Sequence, residues 1–65
     1  MKNRCKELRG KRSQSTIASF LGMTQQAYSN IENAKNFPSM QTCIKLSKLF
    51  DKPIDYIFQC EEKNN

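Results

Sequence analysis

Apolar residues recur along this chain at helical rather than strand spacing, in five groups separated by polar breaks. Met1, Cys5 and Leu8 stand at i, i+4 and i+7, which predicts a first short helix ending near Gly10. Ile17, Ala18 and Leu21 form the stripe of a second, from about Gln14 to Leu21, with Ser13 placed to cap it. Gly22 follows immediately, where a helix end often requires a left-handed residue. Thr24 can then cap a third helix, Gln25 to about Asn33, with Tyr28 and Ile31 facing inward. A polar loop, 34–37, leads to Pro38 and Ser39, and Ser39 can cap a fourth helix from about Met40 to Phe50. Its expected inward positions are Met40, Cys43, Leu46, Ser47 and Phe50. Asp51 and Lys52 break it, and Pro53 suits the first turn of a very short fifth helix, Ile54 to Phe58, burying Ile54 and Ile57. Ile57 to Cys60 can alternatively extend as an edge strand. The expected fold is all-α: a compact five-helix bundle.

Composition narrows what such a bundle can be. The 65 residues make one domain, with a core over about 4–58 and a polar tail over 59–65. A chain of this size buries only about 60% of its unfolded surface, so the core must be compact. The three cysteines, Cys5, Cys43 and Cys60, are widely spaced, and histidine is absent. That pattern argues against a disulfide framework or a zinc site and calls for no metal or cofactor. Cys5 and Cys43 read as small core hydrophobes, and Cys60 as a thiol that the tail can expose. No run approaches the ~20 apolar residues of a membrane span, and no signal-peptide pattern opens the chain, so a cytoplasmic protein is expected.

Charge then points to a partner. The formal net charge is +5, and Lys2, Arg4, Lys6, Arg9, Lys11 and Arg12 crowd the first twelve residues against one acid, Glu7. Such a basic segment suits a polyanion, although a solvated basic helix looks the same by charge alone.

The segment from Gln14 to Ile31 is more specific. With Gln14 counted first, Ala18 is fifth, Gly22 ninth, Tyr28 fifteenth and Ile31 eighteenth. Two helices crossing steeply need a small residue where they touch, hence Ala18, and the tight turn needs tolerance of positive φ, hence Gly22. Tyr28 and Ile31 anchor the inner face of the third helix. Its outer face then carries Gln25, Gln26, Ser29 and Asn30, and amide side chains can pair in bidentate fashion with adenine in the major groove.

Together these residues resemble the Cro/C1-type (XRE) helix-turn-helix family, whose domain is of the lambda-repressor type. The matching stretches are S-Q-S-T-I-A-S-F-L-G (Ser13 to Gly22), T-Q-Q-A-Y-S-N-I-E-N (Thr24 to Asn33), F-P-S (Phe37 to Ser39) and L-S-K-L-F-D-K-P-I-D-Y-I-F (Leu46 to Phe58). The T-Q-Q opening of the third helix is similar to that of certain lambdoid phage repressors. The resemblance implies a transcription regulator, most simply a repressor, that binds an inverted-repeat operator in double-stranded DNA as a homodimer. It implies base contacts from Gln25, Gln26, Ser29 and Asn30, and phosphate contacts from Gln14, Thr24, Asn33, Lys35 and Asn36. It pairs Glu32 with an arginine of the first helix, here Arg9.

Three departures from the family pattern carry structural expectations. The stretch from Arg9 to Gln14 is shorter than usual, which demands an abrupt turn and puts strain on the Arg9 assignment. Ala34 stands where the family often has glycine, so Asn33 is expected to supply the left-handed conformation. Tyr28 replaces an aliphatic anchor, and its hydroxyl needs a partner or an exit to the surface.

No catalytic set competes with this reading, since the chain lacks an imidazole and its acids are scattered. A protein-interaction module, an antitoxin or adaptor on the same scaffold, is the remaining alternative, with a protein partner or antagonist. Phe20, Leu49 and Phe58 exceed the needs of one small core. Phe58, with Ile57 and Leu49, is expected to form a dimer contact.

Overall fold

A computed structural model of the chain describes residues 2–59. Five helices follow one another as α1 (Cys5–Arg9), α2 (Gln14–Leu21), α3 (Gln25–Glu32), α4 (Met40–Phe50) and α5 (Ile54–Ile57). Two-residue strands flank them, β1 (Lys2–Asn3) and β2 (Phe58–Gln59), paired antiparallel with Lys2 opposite Gln59 and Asn3 opposite Phe58. The fold is all-α with its two ends joined by this short ladder.

The helix starts are chemically marked. Ser13, Thr24 and Ser39 each lend a side-chain oxygen to an otherwise orphaned amide, of Thr16, Ala27 and Thr42 respectively. Gly22 ends α2 at φ 72°, a left-handed position where a Cβ is strained. The abrupt connection from α1 to α2 is held by its own arginines. Arg12 donates to the carbonyls of Leu8 and Arg9, and Arg9 Nη1 donates back to the Arg12 carbonyl at 2.7 Å.

One core unites the helices. Cys5, Ile17, Ala18, Leu21, Tyr28, Ile31, Cys43, Leu46, Phe50, Ile57 and Phe58 are buried, with Leu8, Met23, Leu49 and Ile54 packed at its edges. Each fully buried leucine, isoleucine or phenylalanine side chain contributes about 1.5–3 kcal/mol. Burial pushes the Cys5 thiol up to about 12, with the nearby Glu32 charge adding to the effect, and burial raises Cys43 as well. Both stay protonated and act as small hydrophobes. Met1 and Cys60, assigned above to the first stripe and to an exposed thiol, lie outside the described residues.

Four expectations need correction. Phe58 is not an outward dimer contact but is only 1% exposed, and Ile57 is fully buried. The backbone switches from helix to strand at Phe58 (φ −111°, ψ 100°), and pairing with β1 turns this ring onto the core, where Phe37 packs at a centroid distance of 5.4 Å. Leu49 is half-buried against the core. Met40, expected inside, is 68% exposed; at the first position of α4 it lies past the end of the buried stripe, and Pro38 is the buried apolar group there. Finally, the left-handed residue after α3 is Ala34 itself, at φ 61°, while Asn33 stays at φ −88°. The amides of Lys35 and Asn36 both converge on the Asn30 carbonyl, and that tight wrap sets the chain reversal at Ala34.

Candidate nucleic-acid interface

α2 and α3 pack against each other through Ala18, Leu21, Tyr28 and Ile31, with the Gly22 turn between them. Burying one stripe of α3 fixes which stripe faces solvent. Gln25 and Gln26 are exposed there, and Ser29 and Asn30 are half-buried beside them. Gln26 Nε2 donates to Asn30 Oδ1 at 3.1 Å, one helical turn on, so the two amides are pre-aligned. The pair retains a free acceptor on Gln26 and a free donor on Asn30, the complement of an adenine edge in the major groove. Before Glu32 at its end, α3 carries no charge.

The C-terminal end of α3 is clamped. Arg9 Nε meets Glu32 Oε2 at 2.6 Å and its Nη2 donates to Oε1 at 3.3 Å, while Gln14 Nε2 donates to Oε1 at 2.9 Å. The Glu32 side chain is 3% exposed. Burial alone would raise its carboxyl, but the hydrogen bonds from Arg9 and Gln14 outweigh burial and hold it below the usual carboxylate range. The short turn after α1 therefore leaves Arg9 within reach of Glu32. Gln14, placed at a phosphate by family resemblance, spends one amide hydrogen on this clamp and keeps its carbonyl oxygen and second hydrogen.

The loop beyond the helix presents Asn33, Lys35 and Asn36, all exposed. Asn33 Nδ2 reaches Ser29 Oγ at 3.4 Å. The Thr24 oxygen caps α3 through Ala27, and its hydroxyl hydrogen remains able to donate outward. Gln14, Thr24, Gln25, Gln26, Ser29, Asn30, Asn33, Lys35 and Asn36 thus all belong to α3 or to the segments adjoining its ends and α2's start. The cations of the first twelve residues divide. Lys6 and Lys11 are exposed, whereas the Arg4 guanidinium lies 4.4 Å from the centre of the Tyr56 ring and donates to the Tyr56 carbonyl, which ties it to α5. Asn3, which the sequence reading passed over, donates to the Ile31 carbonyl at 2.8 Å. Its position two residues before a helix was the available signal, because asparagine there closes local turns.

Among the described residues no helix is long and apolar enough to cross a membrane, and no cluster of acids and cysteines could hold a metal ion. A helix-turn-helix family model matches residues 5–57. The chain is also 35% identical, over 66 aligned positions covering 98% of it and the whole of the relative, to an uncharacterized HTH-type transcriptional regulator of Bacillus subtilis (strain 168), YgzD. The family match spans all five helices and the clamp between α1 and α3, and on that ground the chain belongs to the Cro/C1-type helix-turn-helix family of transcriptional regulators.

Proposed function

We propose that the protein is a cytoplasmic, sequence-specific repressor that binds an inverted-repeat operator in double-stranded DNA as a homodimer. In this reading α3 enters the major groove, with Gln25, Gln26, Ser29 and Asn30 at base edges. Gln14, Thr24, Asn33, Lys35 and Asn36 hold the phosphates on either side. The observation that carries the reading is the face of α3: an uncharged, amide-rich surface, pre-aligned by the Gln26–Asn30 bond, on a helix clamped at Glu32. Uncharged planar groups contribute little to bulk attraction for DNA but can discriminate bases, while Lys35, Lys6 and Lys11 supply the general field.

Two copies follow from size. An eight-residue helix spans about 12 Å and covers only about three to four base pairs, so a second half-site about 34–36 Å away supplies the missing specificity. With Phe58 and Ile57 buried, Phe37, Met40 and Ile44, which are 58%, 68% and 44% exposed, are apolar groups that can meet a second copy. Met40 and Ile44 stand one turn apart on α4.

The test is selection of duplexes from a randomised pool, followed by alanine at Gln25, Gln26 and Asn30. Each substitution should cost roughly 1–3 kcal/mol on the selected site and leave affinity for random duplex nearly unchanged. Equal losses on both would remove these residues as readers. A protein-partner role has one observation in its favour: Phe20, 64% exposed, borders a groove of about 350 Å³ shared with Leu21, Lys45, Lys48 and Leu49. Selection of no duplex at all would favour that role.

A further inference from the structure

Asn3 lies outside the helix-turn-helix, yet its side chain touches the end of α3. Its Oδ1 accepts from the Cys5 amide at 3.1 Å, closing a local turn at the start of α1. Its Nδ2 donates to the Ile31 carbonyl at 2.8 Å, across 28 residues of sequence. Its backbone is at the same time paired with Phe58 in the terminal ladder. The start of α1, the β1–β2 ladder and the last turn of α3 therefore meet at one residue.

The Ile31 carbonyl is among the last four of α3, which lack partners inside the helix. It also accepts from the Ala34 amide at 3.0 Å, where the chain reverses. Arg9 and Gln14 hold α3 through the Glu32 side chain, whose rotatable bonds leave the helix axis some freedom. Asn3 instead holds the backbone. A helix attached at its start by the Gly22 turn and tied by backbone at its end is restrained against pivoting.

We propose that Asn3 is a positioning residue for DNA recognition, pinning the last turn of α3 to the terminal ladder and so fixing the angle at which the amide face meets the base edges. The inference rests on the reading of α3 as the recognition helix. Base readout depends on hydrogen bonds that weaken steeply with distance and angle, whereas attraction to phosphates acts over several ångströms. Loss of the tie therefore lowers affinity for the selected site and spares random DNA.

Two variants separate this role from plain stabilisation. Asn3→Ser keeps a side-chain oxygen that can close the turn onto Cys5 but has no amide to reach Ile31. Asn3→Ala loses both bonds. The two should differ in thermal stability yet share one loss, roughly 3–10-fold, in the ratio of affinities for the selected duplex over a scrambled one. The carbonyl ¹³C resonance of Ile31 should shift alike in both. A wild-type ratio in Asn3→Ser, or a loss that follows stability across the pair, would overturn the inference while leaving the recognition reading intact. Failure of the unsubstituted protein to select any sequence would instead overturn the recognition reading and this inference with it, and that result is seen before any variant is made.

Discussion

Tyr28 anchors α3 with a fully buried ring, and its hydroxyl lies beside Glu32 and Cys5 without forming a hydrogen bond to any described residue. Burial raises the phenol well above its usual range, so it stays protonated throughout the working pH range. A buried hydroxyl without a partner costs about 1–3 kcal/mol in lost hydration. Tyr28→Phe keeps the packing and removes that cost, so the variant should match or exceed the wild type in urea unfolding. A loss above about 1 kcal/mol would mean that the hydroxyl is bonded in solution, with Glu32 as the acceptor within reach. Ala34 carries a second local cost, its φ of 61°. The left-handed conformation costs a residue with a Cβ about 1–2 kcal/mol, and glycine gives back about 0.4–1 through unfolded-state entropy. Ala34→Gly should therefore stabilise by about 0.5–1 kcal/mol in the same assay, and a net loss would refute the strain at this position.

At the scale of elements, the two helices proposed to carry the function were the most readable part of the sequence. α2 and α3 have a strict stripe, a capping hydroxyl before each and a glycine between, so period, caps and turn agree on the same boundaries. The candidate reading face followed from the same stripe, because fixing Tyr28 and Ile31 inside leaves Gln25 and Gln26 outside. The terminal ladder was readable only in half: Ile57 to Cys60 stood as an alternative edge strand, and β2 falls within it, but a two-residue partner at Lys2–Asn3 carries no alternation and lies more than fifty positions away. Phe58 was misplaced for that reason. The clamp at Glu32 lies between these cases: the arginine partner came by resemblance, and the Gln14 bond is visible only in three dimensions. That clamp has a pH signature. The Glu32 carboxyl is held below its ordinary range in the folded chain, so its stabilisation is present above the ordinary carboxylate pKa of about 4.3 and fades as pH falls through the lower, folded value. Glu32→Gln should cost about 1–3 kcal/mol at pH 7 and progressively less as pH falls below the ordinary carboxylate range, measured by urea unfolding at a series of pH values. A cost independent of pH would show that the carboxylate's charge contributes nothing to holding α3.

For the whole molecule, the buried Phe58 and the exposed α4 face make opposite claims on the same experiment. The domain measures 37 × 23 × 22 Å, and two such bodies placed side by side can set their α3 helices, the proposed readers, one DNA turn apart. A contact through Ile57 and Phe58 would require both to leave a core in which they are 0% and 1% exposed. Phe58→Asp should accordingly unfold the chain rather than yield a folded monomer, because a carboxylate at a position only 1% exposed is stripped of its hydration. Met40→Glu combined with Ile44→Glu changes residues that are already exposed on α4, so circular dichroism should show an intact fold. If these side chains form the two-fold contact proposed above, like charges will face each other across it. Sedimentation equilibrium should then show dimer for the wild type at micromolar concentration and monomer for the double variant. Operator affinity should fall sharply while the selected half-site sequence stays the same, since α3 is untouched. A double variant that remains dimeric would place the contact elsewhere on the surface. A wild type that is monomeric both free and on its selected duplex would remove the homodimer altogether.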